Sequence, residues 1–239
     1  MSTSSTSNAA AEREHRHADP QALADALAER VASDLRSAVA ERGTASLVVS
    51  GGSTPRPFFD RLSRTELPWQ HVAVTLADER WVPADHPDSN ERLVRKTLLV
   101  EAAADARFVS LVNDAATPEA GRDACERALA TIPRPFDVVV LGMGGDGHTA
   151  SLFPETTELT AGLDPFSSDA CLAVNPKTAP HARMSLTLRA ILDSRRLILH
   201  ITGDGKWDVY QRALEPGPAS ELPIRAALQS GRVEVWWAP

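Results

Sequence analysis

The sequence predicts an α/β fold: a mostly parallel sheet with helices on both faces, closing with a short edge strand. Three observations carry this reading. Short apolar runs alternate with helical patterns along the chain, the order that builds parallel sheets. Runs such as 138–141 and 197–199 are continuously apolar rather than alternating, as in strands covered on both faces. Segments rich in Gly, Ser and Asp follow several of these runs, and open α/β sheets bind ligands beyond the carboxyl ends of their strands.

Asp19 and Pro20 form an N-cap and first helical position, and Leu23, Leu27, Val31, Leu35 and Val39 then recur every four residues until Gly43 stops the helix. A strand over 47–49, a turn over 50–55 and a helix through Leu62 follow. Residues 72–76 read as a strand, 90–100 as a helix and 108–112 as a strand, and Thr117-Pro118 caps a helix to about Ile132. The run 136–141 is a buried strand, 172–174 and 184–188 are short strands, and 190–194 is a helical turn. A strand over 197–201, helices over 207–214 and 224–229, and an edge strand over 233–237 complete the chain. Residues 1–18, rich in Ser, Ala and charge, read as a disordered leader and 19–239 as a single domain.

Composition narrows the function classes. Hydrophobic residues make up 43% of the 239, enough for a sizeable core. A net charge of -7 without a basic block disfavours nucleic acid. No run approaches the roughly 18 apolar residues of a membrane span, and the N-terminus lacks the apolar core of a secretory signal. Cys125 and Cys171 have neither metal-ligand nor redox spacing and read as buried thiols of a cytoplasmic protein.

Residues 136–154 carry the strongest local signal. Gly142, Gly144, Gly145 and Gly147 bar a regular helix after the 136–141 strand and hold Asp146 and His148 in one short loop. Histidine moves protons near neutral pH, and a neighbouring carboxylate sets its tautomer and stabilises its charged form. The same glycines match G-x-G-x-x-G, the dinucleotide fingerprint. Against that reading, the match lies past the middle of the chain, Asp146 would put a negative charge beside pyrophosphate, and no acidic residue ends a second strand about 20 residues on. Asp164 stands near that distance, but in a loop containing Pro and Ser.

Three further segments bear on chemistry. Ser50-Gly51-Gly52-Ser53-Thr54-Pro55 suits either a phosphate cradle at a helix start or a plain turn with a Ser/Thr cap. Asp78-Glu79-Arg80-Trp81-Val82-Pro83 places three charges at a strand end, and Asp85-His86-Pro87-Asp88-Ser89-Asn90 follows as a polar loop in which His86 and Asp88 read as structural. Arg183 and Lys206 are late cations near strand ends; taken singly, each reads as exposed surface. His15 and His17 lie in the leader, and His71, His181 and His200 lack convergent polar neighbours in sequence. No G-x-S-x-G nucleophile motif and no H-E-x-x-H zinc spacing occurs.

In this order the motifs resemble the 6-phosphogluconolactonase family: Ser50 to Pro55, Asp78 to Pro83 with Asp88-Ser89-Asn90, Gly142 to Pro154, and Arg183-Met184-Ser185-Leu186-Thr187. The family is similar in fold to glucosamine-6-phosphate deaminases, whose sheet is Rossmann-like without a bound nucleotide. The resemblance implies hydrolysis of 6-phospho-D-glucono-1,5-lactone to 6-phosphogluconate, with no metal and no cofactor. It implies that Gly51, Gly52, Ser53 and Thr54 hold the 6-phosphate with help from Arg183 and Lys206, and that His148 is the general base. Asp146 or Asp78 would orient the histidine, and Arg80 would stabilise the oxyanion. The expected partner is a small phosphosugar lactone, with no nucleic acid and no membrane, and the chain is expected to be a monomer or weak homo-oligomer. The alternatives are glucosamine-6-phosphate isomerisation and deamination, or a non-catalytic sugar-phosphate sensor. Deaminases usually carry Glu where this chain has Phe153, and Asp-Glu-Tyr in place of Asp78-Glu79-Arg80.

Overall fold

A computed structural model describes residues 13–177 and 179–239. The first helix, α1 (Pro20–Arg42), begins where the Asp19 carboxylate accepts the Ala22 amide at 2.8 Å and ends at Gly43, whose φ of 77° lets its amide close onto the Val39 carbonyl. Its four-residue apolar spacing buries Leu23, Leu27, Val31 and Leu35.

The larger sheet contains β1 (Glu14–Arg16), β2 (Ala45–Val49), β3 (Val72–Leu76), β5 (Arg107–Phe108), β6 (Phe136–Leu141), β9 (Ser194–Thr202) and β10 (Val233–Ala238). Its seven strands run in the order β1-β10-β9-β6-β2-β3-β5, and every pairing is parallel. Every residue of β2, β3 and β6 is buried, so both faces of the sheet centre are covered, as their continuous apolar character requires. From β2 the chain builds outward through β3 to β5, and from β6 outward the other way through β9 to β10. The order therefore reverses between the neighbours β2 and β6, whose registers match Leu47 with Val138 and Val49 with Val140. Parallel sheets open a ligand crevice at such a reversal.

The remaining strands, β4 (Asp78–Arg80), β7 (Cys171–Val174) and β8 (Arg183–Leu186), form an antiparallel sheet of three in the order β4-β8-β7. Ala77 joins the two sheets: its amide donates to Val49 and its carbonyl accepts from Leu186. The helices are α2 (Arg56–Ser63), α3 (Asn90–Thr97), α4 (Pro118–Leu129), α5 (Leu159–Gly162), α6 (Leu188–Leu192), α7 (Asp204–Leu214) and α8 (Ile224–Leu228).

Five expectations need correction. The 233–237 strand is not an edge, because β1 pairs along its outer side with Glu14 opposite Val235. Residues 13–18 are therefore ordered rather than part of a disordered leader; His15 and His17 stack on Trp236, and Tyr210 Oη donates to Glu14. The first 12 residues of the expected leader lie outside the described residues. Residues 78–80, expected at the end of the 72–76 strand, form a separate strand of the second sheet. The strand expected over 108–112 ends at Phe108, since Ser110 Oγ accepts the Val112 amide and bends the chain away. The helix expected over 90–100 stops at Thr97, and Val100 is already extended at φ −133°.

Candidate active site

Because the larger sheet is parallel, the segments following β2, β3, β6 and β9 all emerge at its carboxyl end. They wall a cavity of about 280 Å³ whose lining includes Gly51, Gly52, Ser53, Thr54, Asp78, Arg80, His148, Arg183 and Lys206. Its floor is the topological reversal itself: Val49, Val140 and Leu141 line it. Ser50 fastens the two loops flanking the reversal, donating its amide to the Val140 carbonyl at 3.1 Å and accepting the Gly142 amide on its hydroxyl at 3.2 Å.

In the loop after β6, Gly144 donates its amide to the His148 carbonyl at 2.8 Å, and Asp146 Oδ1 accepts from the His148 amide at 3.2 Å and from Nδ1 at 2.5 Å. With Nδ1–H directed at Asp146, Nε2 carries the lone pair. A Cβ on Gly144 would fall 2.1 Å from His148 Nδ1 and 2.5 Å from Asp146 Oδ1, so only glycine fits beneath this pair. The Phe153 ring lies against the imidazole with centroids 4.2 Å apart, and the Arg183 guanidinium sits 5.3 Å from the same phenyl ring. Burial alone would raise the Asp146 pKa; the charge of His148 and the hydrogen bonds from its amide and ring outweigh it and hold the carboxyl below the ordinary range. Asp146 therefore remains an anion at neutral pH.

The loop after β2 approaches the second wall closely. Asn90, at the first turn of α3, donates its side-chain amide to the Asp78 carbonyl at 2.9 Å. Its Oδ1 occupies the space that a Cβ on Gly51 would need, 1.8 Å away. Helix α2 then begins after Pro55 with no side chain capping its first turn. The Ser/Thr-cap reading of 50–55 is therefore not met; Pro55 and Pro57 have no N–H and the Arg56 amide donates to the Ser53 carbonyl, whereas the amides of residues 51–54, which line the cavity, donate to no described residue and are available to an anion.

Arg80 and Arg183 face each other in register across β4 and β8. Each has a buried Nε without a hydrogen-bond partner among the described residues, and both line the cavity. A buried guanidinium and a half-buried one, each with an N–H to spare, form a natural anion trap. Arg183 lies 3.6 Å from Asp78, which also accepts from the Ser151 hydroxyl at 2.6 Å. Burial lowers the Arg183 pKa and Asp78 partly restores it, leaving a charged guanidinium. Lys206, in the first turn of α7, donates to the Met143 carbonyl and so hangs over the loop that holds His148. Burial also lowers the Lys206 pKa, against the attraction of Asp146.

Apart from Asp146, which lies outside the lining and acts through its bond to His148, the candidate site residues meet in one cavity, with a division of labour that sequence left open. Asp146 bonds the histidine, whereas Asp78 bonds Ser151 and Arg183 and makes no hydrogen bond to His148. Sequence reasoning passed over Ser151 and His200. His200 lines the cavity near the carboxyl end of β9, buried with its ring edge-on to Phe58; its position near a strand end was the available signal.

Residues 18–237 match the family described as glucosamine-6-phosphate isomerases/6-phosphogluconolactonase. The chain is 47% identical over 227 residues to a 6-phosphogluconolactonase of Rhizobium meliloti, covering 94% of this chain and 98% of that one. It is 49% identical over 223 residues to a 6-phosphogluconolactonase of Mesorhizobium japonicum, covering 92% and 93%. The crystal structure of a 6-phosphogluconolactonase from Shewanella baltica superimposes with a TM-score of 0.91 at 48% identity, covering 95% of this chain and 97% of that one. The chain belongs to the glucosamine-6-phosphate isomerase/6-phosphogluconolactonase family.

Proposed function

We propose that this protein is a lactone hydrolase that converts 6-phospho-D-glucono-1,5-lactone to 6-phosphogluconate, a step of the oxidative pentose phosphate pathway. The observation that carries the reading is a histidine with an ionised carboxylate on Nδ1, directed into the same cavity as the unpaired amides of residues 51–54 and two guanidiniums with free N–H groups. Base and anion site together match a substrate that pairs an electrophilic carbonyl with a phosphate.

Gly51, Gly52, Ser53 and Thr54 hold the 6-phosphate, with Arg183 and Lys206 adding charge, and this places C1 at His148. The imidazole Nε2 takes a proton from water as the water oxygen bonds to C1. Arg80 stabilises the oxyanion that forms. Its collapse breaks the bond from C1 to the ring oxygen, which takes the proton from the imidazolium. Asp146 fixes the tautomer throughout and stabilises the cation between the two transfers. No hydroxyl or thiol among the described residues is hydrogen-bonded to the His148 ring, which supports direct attack by water rather than a covalent intermediate. A lactone is an activated ester, so one base and one anion-stabilising group are sufficient.

Phe153 favours this reading over deamination. An apolar ring packs on the imidazole at the place where deaminases carry a glutamate. Residues 19–239 act as one domain, since both sheets contribute to the cavity wall. Buried, unpaired Cys125 and Cys171 support a reducing compartment such as the cytoplasm. No described helix is long and apolar enough to cross a membrane.

The test is proton release from 6-phosphogluconolactone and from glucono-1,5-lactone, with spontaneous hydrolysis subtracted. Two hydrogen bonds to a charged group contribute roughly 1.5–3 kcal/mol each, so loss of the phosphate lowers kcat/KM by at least about 100-fold. Equal rates on the two lactones remove the phosphate site from the account. Ammonia release from glucosamine 6-phosphate, with no lactone turnover, would move the chain to the sister activity.

A further inference from the structure

One cluster of side chains outside the chemistry above pairs groups far apart in sequence. His86 and Asp88 follow β4, and His181 precedes β8. Since Arg80 and Arg183 are opposite each other in those antiparallel strands, the two loops meet at one end of the small sheet. His181 Nε2 lies 2.9 Å from Asp88 Oδ2, His86 Nδ1 lies 3.9 Å from the same oxygen, and the two rings stand edge to face with centroids 5.3 Å apart. One nitrogen of each imidazole and one carboxylate oxygen are all within 4.8 Å of one another. Tetrahedral zinc with bonds of about 2.1 Å sets its ligand atoms roughly 3.4 Å apart, and the 2.9 and 3.9 Å separations bracket that spacing.

The backbone adds a second observation. His181 adopts φ +68°, a left-handed conformation that costs a residue bearing a Cβ energy and is sustained by its surroundings. A single hydrogen bond to exposed Asp88 is little compensation for that strain; a ligand binding all three groups would supply more. We infer that His86, Asp88 and His181 form a binding site for a divalent transition metal of the zinc class, tied to the cavity through Arg80. Two imidazoles and one carboxylate favour zinc, cobalt, nickel or copper over magnesium or calcium, and three protein ligands leave a position for water or an anion. The His86 Nδ1 that now accepts the Asp88 amide exchanges that bond for the metal, and the exposed amide turns to solvent. The Asp88 carbonyl accepts from Arg80, which lines the cavity, so the metal fixes the residue that anchors this arginine.

The experiment uses the full chain, stripped with chelator and dialysed, and titrates it with Co²⁺ alone while following the visible absorption of a low-coordinate site; Zn²⁺ then competes. Wild type and His148→Ala bind one equivalent, and the double variant His86→Ala/His181→Ala binds at least about tenfold more weakly, the scale on which perturbing a metal site is felt. If the double variant fails to fold, His181→Asn replaces it, since asparagine tolerates the left-handed backbone but supplies no imidazole. Failure of the wild type to bind Co²⁺ or Zn²⁺ overturns the inference, as does undiminished binding after loss of the histidines. Binding is read without turnover, so this result is independent of the lactonase reading.

Discussion

Asp146 and Asp78 carry the same functional group, but Asp78 lines the cavity and Asp146 stands behind His148. Asp146 is half exposed and bonds the imidazole, so replacing it by Asn disturbs the tautomer while costing little packing. Asp146→Asn is expected to keep wild-type stability and lose roughly 10²-fold in kcat, the lower end of a general base's contribution. Asp78 is buried with Arg183 beside it, and removing its charge strands a buried cation. Asp78→Asn therefore lowers unfolding free energy by about 3–5 kcal/mol, measured by urea denaturation alongside kcat. If the two variants exchange these phenotypes, the assignment of roles is wrong. The His148–Asp146 pair was legible in sequence because its members are two residues apart in a glycine loop. The partner of Asp78 was not, since Ser151 is 73 positions away and only the fold joins them.

Among elements, legibility followed side-chain pattern. The strands β2, β3, β6 and β9 declare themselves because a central strand of a covered parallel sheet is apolar on both faces. Strands β1 (Glu14–Arg16) and β4 (Asp78–Arg80) consist of charged and His residues; main-chain ladders hold them, and no local pattern reveals those. The helix that follows β4 depends on one such charged residue. Glu79, 1% exposed, accepts the amides of Arg80, Asn90 and Glu91 at 2.7, 2.8 and 2.6 Å and the Ser89 hydroxyl at 2.9 Å. Burial raises its pKa against the pull of those four donors. It thereby satisfies the start of α3 and fixes both Asp78 and Asn90 at the cavity wall. Glu79→Gln turns an acceptor into a donor facing these groups, and is expected to cost about 1–3 kcal/mol and to lower activity with it. An unchanged urea midpoint would show that the start of α3 is held by other contacts.

For the whole molecule, the reversal of strand order between β2 and β6 fixes where the site lies, and convergence of the four loops follows from parallel strands rather than from any one motif. The same architecture buries His200 at the cavity floor, and burial pushes its pKa down to about 4. Above pH 6.5 the imidazole is neutral in native and unfolded chains alike. As the pH falls from 6.5 towards 4, the unfolded chain takes up a proton that the native chain refuses, so stability is lost by up to about 3 kcal/mol, with no further loss from this group below that window. His200→Gln should flatten that part of the stability profile by a similar amount; a parallel profile would show that His200 is not buried neutral. His148 is the base at the reversal point, and the decisive measurement is proton release from freshly generated 6-phosphogluconolactone, corrected for spontaneous hydrolysis, for wild type and His148→Ala. The account predicts fast wild-type turnover and a loss of roughly 10²–10⁴-fold in the variant, whereas a variant that turns over at the wild-type rate would contradict it.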